Sequence, residues 1–300
     1  MPAPETPHIV KSNALIEASY RLNLREQRII LACIAQVDRS QPISDEHQYS
    51  VSARDFADLT DHRIEGAYQE LRLAADSLFE RRLTVFEHPN TGCPRKLTMR
   101  WIQSVEYIER EGRVAIRFGK DILPYLTELT RRFTKYALSD VAKMSSPHAI
   151  RLYELLMQWR DTGAREVSIE WMRQRLGLED KYPAYKDLRR WVIDPAVKQI
   201  NEHSPIRVKW EARKTGRKVT HIAFRFTIKR KAKSPEQGGK AGQEQGGKPK
   251  GNDNGASREP SIRGIPKSLI EQRANPGESY DDCALRLLDE RQRAKRARGG

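Results

Sequence analysis

Between residues 24 and 37 the apolar positions fall into a helical rhythm, with Leu24, Arg28, Leu31, Ile34 and Ala35 along one stripe. A shorter helix over 13–18 precedes it. After a polar loop, Ser52-Ala53-Arg54-Asp55-Phe56 has the spacing of a capped helix start, with Ser52 as cap and Asp55 at the third helical position. Thr60-Asp61-His62 reads as a turn, and 64–79 as a second helix with Ala67, Leu71, Ala74, Ala75 and Leu78 inward. The period then changes to two, over 83–86, 97–105 and 114–118. Pro89-Asn90-Thr91-Gly92 and Glu111-Gly112 supply the turns between these strands.

The same order returns further along. Residues 148–159 are amphipathic, with Leu152, Leu155, Leu156 and Trp159 inward. Ser168-Ile169-Glu170-Trp171 offers a cap again and opens a short helix that ends at Leu176-Gly177. A longer helix starts at Ala184, and strands over 206–213 and 219–228 flank Lys214-Thr215-Gly216-Arg217. The two long helices even begin alike, Ala67-Tyr68-Gln69-Glu70-Leu71-Arg72 and Ala184-Tyr185-Lys186-Asp187-Leu188-Arg189. The caps lie 116 residues apart and these helix starts 117. Helix, turn, helix and hairpin make the winged-helix pattern, and its recurrence in register implies a duplicated domain.

The expected fold is therefore α+β, with two tandem winged-helix domains over 8–124 and 146–230. A packed, partly helical connector over 125–145 is expected between them, from Tyr125, Leu126, Leu129, Phe133, Tyr136 and Leu138. The remainder, 231–300, reads as a low-complexity basic tail. Residues 234–261 are rich in Gly, Lys, Gln, Glu, Pro and Asn and poor in aliphatic residues, so a largely disordered tail is expected. A terminal helix over 280–298, with Ala284, Leu287 and Leu288 as its apolar face, is expected within it.

Charge changes the picture. The chain carries a net +15, of which residues 131–233 hold +14, while residues 1–130 hold −2. Such concentration in and around one copy is the footprint of a polyanion partner. Lys186, Arg189 and Arg190 fall at i, i+3 and i+4, one cationic face, opposite an apolar line of Leu188, Val192 and Ala196. In a helix–turn–helix the second helix enters the major groove, where Arg and Lys donate to guanine O6 and N7. A solvated basic face is the plainer alternative. Lys198 extends the cationic surface, and Arg213, Lys214, Arg217 and Lys218 surround the wing turn, a pattern suited to phosphate or minor-groove contact. The first copy offers Arg63 and Arg72 beside Glu65, Glu70, Asp76 and Glu80, which suits phosphate contact better than base reading. Pro195 either kinks the second long helix or, with Asp194, opens a new one; the kink is the favoured expectation.

Enzymatic signals are missing: there is no phosphate loop, no HExxH, no GxSxG and no His pair for a metal-dependent nicking site. Neither cofactor nor metal is expected. Cys33, Cys93 and Cys283 are far apart and lack metal-ligand spacing, as in reduced cytosolic proteins. No apolar run approaches the ~20 residues that span a bilayer, and the start does not read as a signal peptide, so a cytoplasmic protein without membrane contact is expected.

Three segments in order, VKSNALIEASYRLNLREQRIILACIAQ, FTKYALSDVAKMSSPHAIRLYELLMQW and YKDLRRWVIDPAVKQIN, resemble iteron-plasmid replication initiators of the RepA, RepB and RepE type. RANPGESYDDCALRLL is similar to a tail motif of some members. The resemblance spans roughly 8–230 plus that motif. It implies two winged-helix domains, the second reading bases in directly repeated origin sites (iterons) and the first touching phosphates and mediating dimerisation. It implies monomers that bind the repeats and help open the origin, and dimers in equilibrium with them that repress their own promoter. Double-stranded DNA, the host replication initiator and the replicative helicase are the implied partners. On this chain it makes Lys186, Arg189 and Arg190 the major-groove candidates. The competing reading is a winged-helix transcriptional repressor without a replication role.

Overall fold

The computed structural model describes residues 7–38, 44–60, 65–127, 129 and 132–229, and in the tail 261–262, 265–266, 269, 283–288 and 290. In chain order the first part runs β1 (His8–Ser12), α1 (Asn13–Ile16), β2 (Ser19–Tyr20), α2 (Leu24–Ala35), β3 (Tyr49–Ser52), α3 (Ala53–Thr60), α4 (Ala67–Phe79), β4 (Arg82–Glu87), β5 (Pro94–Arg100), β6 (Ile102–Ile108) and β7 (Arg113–Phe118). Then follow β8 (Phe133–Ala137), α5 (Ser139–Ala142), α6 (Pro147–Met157), β9 (Ala164–Ser168), α7 (Ile169–Arg175), α8 (Tyr185–Leu188), a π-helical turn (Arg189–Ile193), α9 (Asp194–His203), β10 (Ile206–Thr215) and β11 (Lys218–Ile228).

Two winged-helix domains are present, and their topologies match. Each runs helix, strand, two helices and a hairpin, the first with β4 and β5 inserted before its hairpin as a sheet with β2, and each closes on a three-stranded antiparallel sheet with the last strand in the middle. The orders are β3-β7-β6 and β9-β11-β10. The caps correspond as well: Ser52 Oγ accepts from the Asp55 N–H at 3.1 Å, and Ser168 Oγ from the Trp171 N–H at 3.1 Å. Each hydroxyl satisfies one donor that the first helical turn leaves open. Ser168→Ala should therefore destabilise the chain by about 1 kcal/mol, read as a lower urea midpoint at unchanged m-value.

The single expected strand over 97–105 is two strands in different sheets. β5 pairs with β4, whereas β6 pairs with β7, and the chain crosses at Trp101. That indole is fully buried and meets Tyr20 edge-on at 4.9 Å, so the crossing is anchored in the core. Strand β8 turns back to pair antiparallel with β1, from His8↔Ala137 to Ser12↔Phe133. Beneath it lies a buried ionic cluster: Lys11 Nζ donates to Glu154 Oε1 at 2.7 Å, and the Tyr136 hydroxyl donates to the same oxygen at 2.6 Å. Arg151 donates to the carbonyls of Ile16, Ala18 and Arg175 and to the Tyr20 hydroxyl. Thus α6, the helix ahead of β9, is fastened to the start of the chain.

The tail forms a separate unit. Its described residues include β12 (Ser261–Ile262) paired with β13 (Ile265–Pro266), and residues 283–288 are helical. Ile265, Cys283, Ala284 and Leu287 are buried together, with Leu269 and Leu288 against them. The rest of the segment expected as a terminal helix, and nearly all of the low-complexity stretch, lie outside the described residues.

Candidate nucleic-acid interface

The helical run from Tyr185 to His203 buries Leu188, Val192, Ile193, Ala196, Val197 and Ile200 on one side. Its other side carries Lys186, Arg189, Arg190, Trp191, Asp194 and Lys198, all exposed. Proline at 195 has no N–H to give the carbonyl four residues back. The disturbance takes the form of the π-helical turn just upstream, where the Asp194 N–H reaches back five residues to the Arg189 carbonyl. Pro195 itself sits in the first turn of α9, where a missing donor does no harm.

The three basic residues of the reading helix have different partners around that turn. Widening the ring brings Arg189 over Asp194, with Nε 3.1 Å from Oδ2, and its guanidinium lies 5.5 Å from the Trp210 ring centre. Lys186 and Arg190 have no acidic partner among the described residues, and Arg190 stands 4.9 Å from the Trp191 ring centre. Tyr185, at the head of the run, has its hydroxyl pushed above the ordinary phenol range, chiefly by burial. Lys198 is 4.0 Å from Glu202, one turn on along α9, a pair too loose and exposed to hold it.

Trp191 is the residue the apolar-line reading missed. It follows Arg190 and precedes Val192, yet falls off the buried line and is 56% exposed. A large ring on a basic, solvent-facing helix surface was the available signal. It offers an apolar edge beside two donors, which is what contact with a thymine methyl requires.

The wing projects beyond the sheet. Gly216, with φ of 62°, and Arg217 form its two-residue tip, since β10 and β11 pair out to Thr215↔Lys218. Lys214, Arg217 and Lys218 are exposed and lack acidic partners among the described residues. Arg213 is set apart, 2.7 Å from Glu211 and 4.0 Å from Glu166, across a bulge between Arg213 and Lys214. Further down, Lys209 stands directly opposite Arg225. Like charges in that relation are destabilising, and a polyanion would relieve them. Replacing Lys214, Arg217 and Lys218 with alanine should lower the slope of log K against log salt by roughly 0.9 for each phosphate no longer neutralised, measured by DNA titration at several salt concentrations.

The first domain presents a different surface. Arg72 on α4 pairs with Glu109 at 3.4 Å and lies 5.4 Å from the Tyr107 ring centre. The Tyr107 hydroxyl donates to Asp76, and its proton is held up to about 12, by burial first and then by that bond. Arg72 is thus loosely paired with an exposed acid and lies against an aromatic ring. Arg63 lies outside the described residues. Among the described residues no group of His, Cys, Asp or Glu is placed to hold a metal ion, and no helix is long and apolar enough to cross a membrane.

Comparison with known proteins gives a consistent picture. The family described as "Initiator Replication protein, WH1" matches residues 8–157, and "Initiator Rep protein, WH2" matches 168–226. An uncharacterized 27.6 kDa protein of Escherichia coli is 27% identical over 220 residues, covering 70% of this chain and 91% of its own. A replication initiation protein of Escherichia coli is 26% identical over 229 residues, covering 74% and 70% respectively. The PI protein of Escherichia coli is 22% identical over 249 residues, covering 72% and 81%. Among solved structures, that of Pi initiator protein in complex with iteron DNA superposes with a TM-score of 0.63 at 20% identity, over 75% of this chain and 99% of that one. At that identity it speaks for a shared fold.

Proposed function

This chain belongs to the Initiator Replication protein family, and from that premise we propose that it starts plasmid replication by binding directly repeated sites in the origin as a monomer. The second winged helix reads bases through Lys186, Arg190 and Trp191, with Arg189 braced behind them, while its wing and Lys198 hold phosphates. The first domain adds phosphate contact through Arg72 and carries the dimer surface. Bound monomers help open the origin and recruit the host initiator and the replicative helicase. Dimers repress the chain's own promoter. It works by binding and positioning, without catalysis.

One observation carries the DNA-reading part. Two winged helices differ in charge: α4 of the first carries the single cation Arg72, paired with Glu109, whereas the reading helix of the second presents Lys186 and Arg190 with no acidic partner among the described residues. A duplicated scaffold needs no such asymmetry for stability, whereas a base reader does.

The test is fluorescence anisotropy with duplexes tiled across the DNA flanking its gene, against random duplex at ~0.15 M salt. The proposal expects some tiles to bind at least ~10³-fold more tightly than random DNA, and those tiles to share a directly repeated sequence. Equal, salt-sensitive binding to every tile would remove it. Preference for one inverted repeat alone would favour the repressor reading instead.

A further inference from the structure

A cleft of about 410 Å³ opens between the two winged helices, lined by residues 20–23, Gln27 and Arg81, by Pro147, His148 and Arg151 of α6, and by 176–178 and Lys181 after α7. Five of these side chains are basic and none is acidic. Leucines 22, 176 and 178 with Pro147 supply apolar walls. This is the size and make-up of a small-molecule site: mostly apolar, with a few converging polar groups.

Gln27 is the telling residue. It lies on α2, is 1% exposed, and neither its amide oxygen nor its amide nitrogen has a hydrogen-bond partner. Buried side-chain amides are nearly always satisfied, and one left open on both atoms at a cleft wall calls for a ligand that supplies an acceptor and a donor together. The cations around it are unevenly used. Arg81 is 2.9 Å from Glu26, and Arg21 is 3.1 Å from Asp180 and also donates to the Gly177 carbonyl. Lys181 and His148 have no acidic partner among the described residues, and Arg151 keeps a buried Nε without a partner. The local field is positive: the imidazole of His148 is driven toward its neutral form by burial first, then by Lys181 and Arg151.

We propose that this interdomain cleft binds a mononucleotide, its phosphates held by Lys181 with Arg21 and its base edge paired by the Gln27 carboxamide. A carboxamide is the side chain that pairs with adenine in two bonds, so an adenine nucleotide is the fitting probe. Because its walls come from both domains, an occupied cleft fixes one domain against the other. Nucleotide and origin DNA would then be coupled ligands of one conformational equilibrium.

The experiment is isothermal titration of the full-length chain with ATP, AMP and inorganic phosphate in parallel, on the unaltered protein and on Gln27→Leu and Lys181→Glu. Gln27→Leu keeps the volume and removes the two open polar atoms, so its unfolding midpoint should be unchanged or higher. Lys181 is exposed, so its replacement leaves the fold intact. The proposal expects one saturable nucleotide site, at least tenfold weaker in each variant, with inorganic phosphate binding much less tightly than AMP. Equal affinity for phosphate and AMP would overturn it, since nothing would then read a base. Absence of binding by all three probes would also overturn it. If in that case Lys181→Glu weakened binding to random duplex, the cleft would be a seat for the DNA backbone.

Discussion

Replacing Lys186 and Arg190 together with alanine should reduce binding to repeat-containing DNA by about 2–6 kcal/mol, roughly 30- to 10⁴-fold, while binding to random duplex falls only slightly. Each side chain can make a paired contact with guanine worth ~1–3 kcal/mol of discrimination. Both stand on the exposed side of the reading helix without an acidic partner among the described residues, so no ion pair must break before DNA is engaged. Arg189→Ala should do less. Its Nε lies 3.1 Å from Asp194 and its guanidinium over Trp210, so base contact would forfeit an existing pair. Arg72→Ala, in the first domain, should weaken all duplexes alike and only slightly, since its exposed pair with Glu109 holds it weakly and a phosphate contact carries no sequence information. Anisotropy titrations of the double variant and the two single variants against both duplexes measure all of this.

The second large effect lies in the core. Glu154→Leu should destabilise the chain by about 3–5 kcal/mol, because it leaves the ammonium of Lys11 buried without its carboxylate. Lys11→Met combined with Glu154→Leu should recover part of that loss, the share due to the stranded ammonium, while Tyr136 and Arg151 still lack the carboxylate. Urea unfolding of the two variants decides it. The same cluster sets a pH response. Burial pushes the Glu154 carboxyl up, but Lys11 at 2.7 Å, Arg151 at 3.6 Å and the bond from Tyr136 outweigh it and hold the group below its ordinary value. A carboxyl lowered in the fold contributes stability that is present above the unfolded value near 4.5 and is lost as pH falls through the folded one. The acid limb of a stability–pH curve should therefore be shallower in the double variant than in the unaltered chain.

Much of this architecture is legible along the chain because it is local. Caps at Ser52 and Ser168, the amphipathic faces after them and the Gly216 turn are set by residues a few positions apart, where period and turn chemistry act directly. Pairing of β1 with β8 is not legible, since its partners lie over a hundred residues apart and neither strand alternates strongly. Crossing at Trp101 is hidden for another reason: β5 and β6 are adjacent, and alternation continues through the residue that changes sheets. At the interface, composition located the basic domain, and the i, i+3, i+4 spacing located the helix. That spacing does not reveal partners, however, and across the π turn Arg189 meets Asp194. Trp191 was hidden by its place beside the apolar line, and Lys11 by its place in an apolar strand whose partner acid lies 143 residues on.

The central claim is that the second winged helix reads repeated sites in one orientation, and nuclease footprinting on the DNA flanking the gene tests it most directly. The unaltered chain should protect several windows of the same sequence and direction, and the Lys186→Ala, Arg190→Ala variant should protect none of them at the same concentration. Protection confined to a single inverted repeat, or windows that persist unchanged in the variant, would contradict the claim.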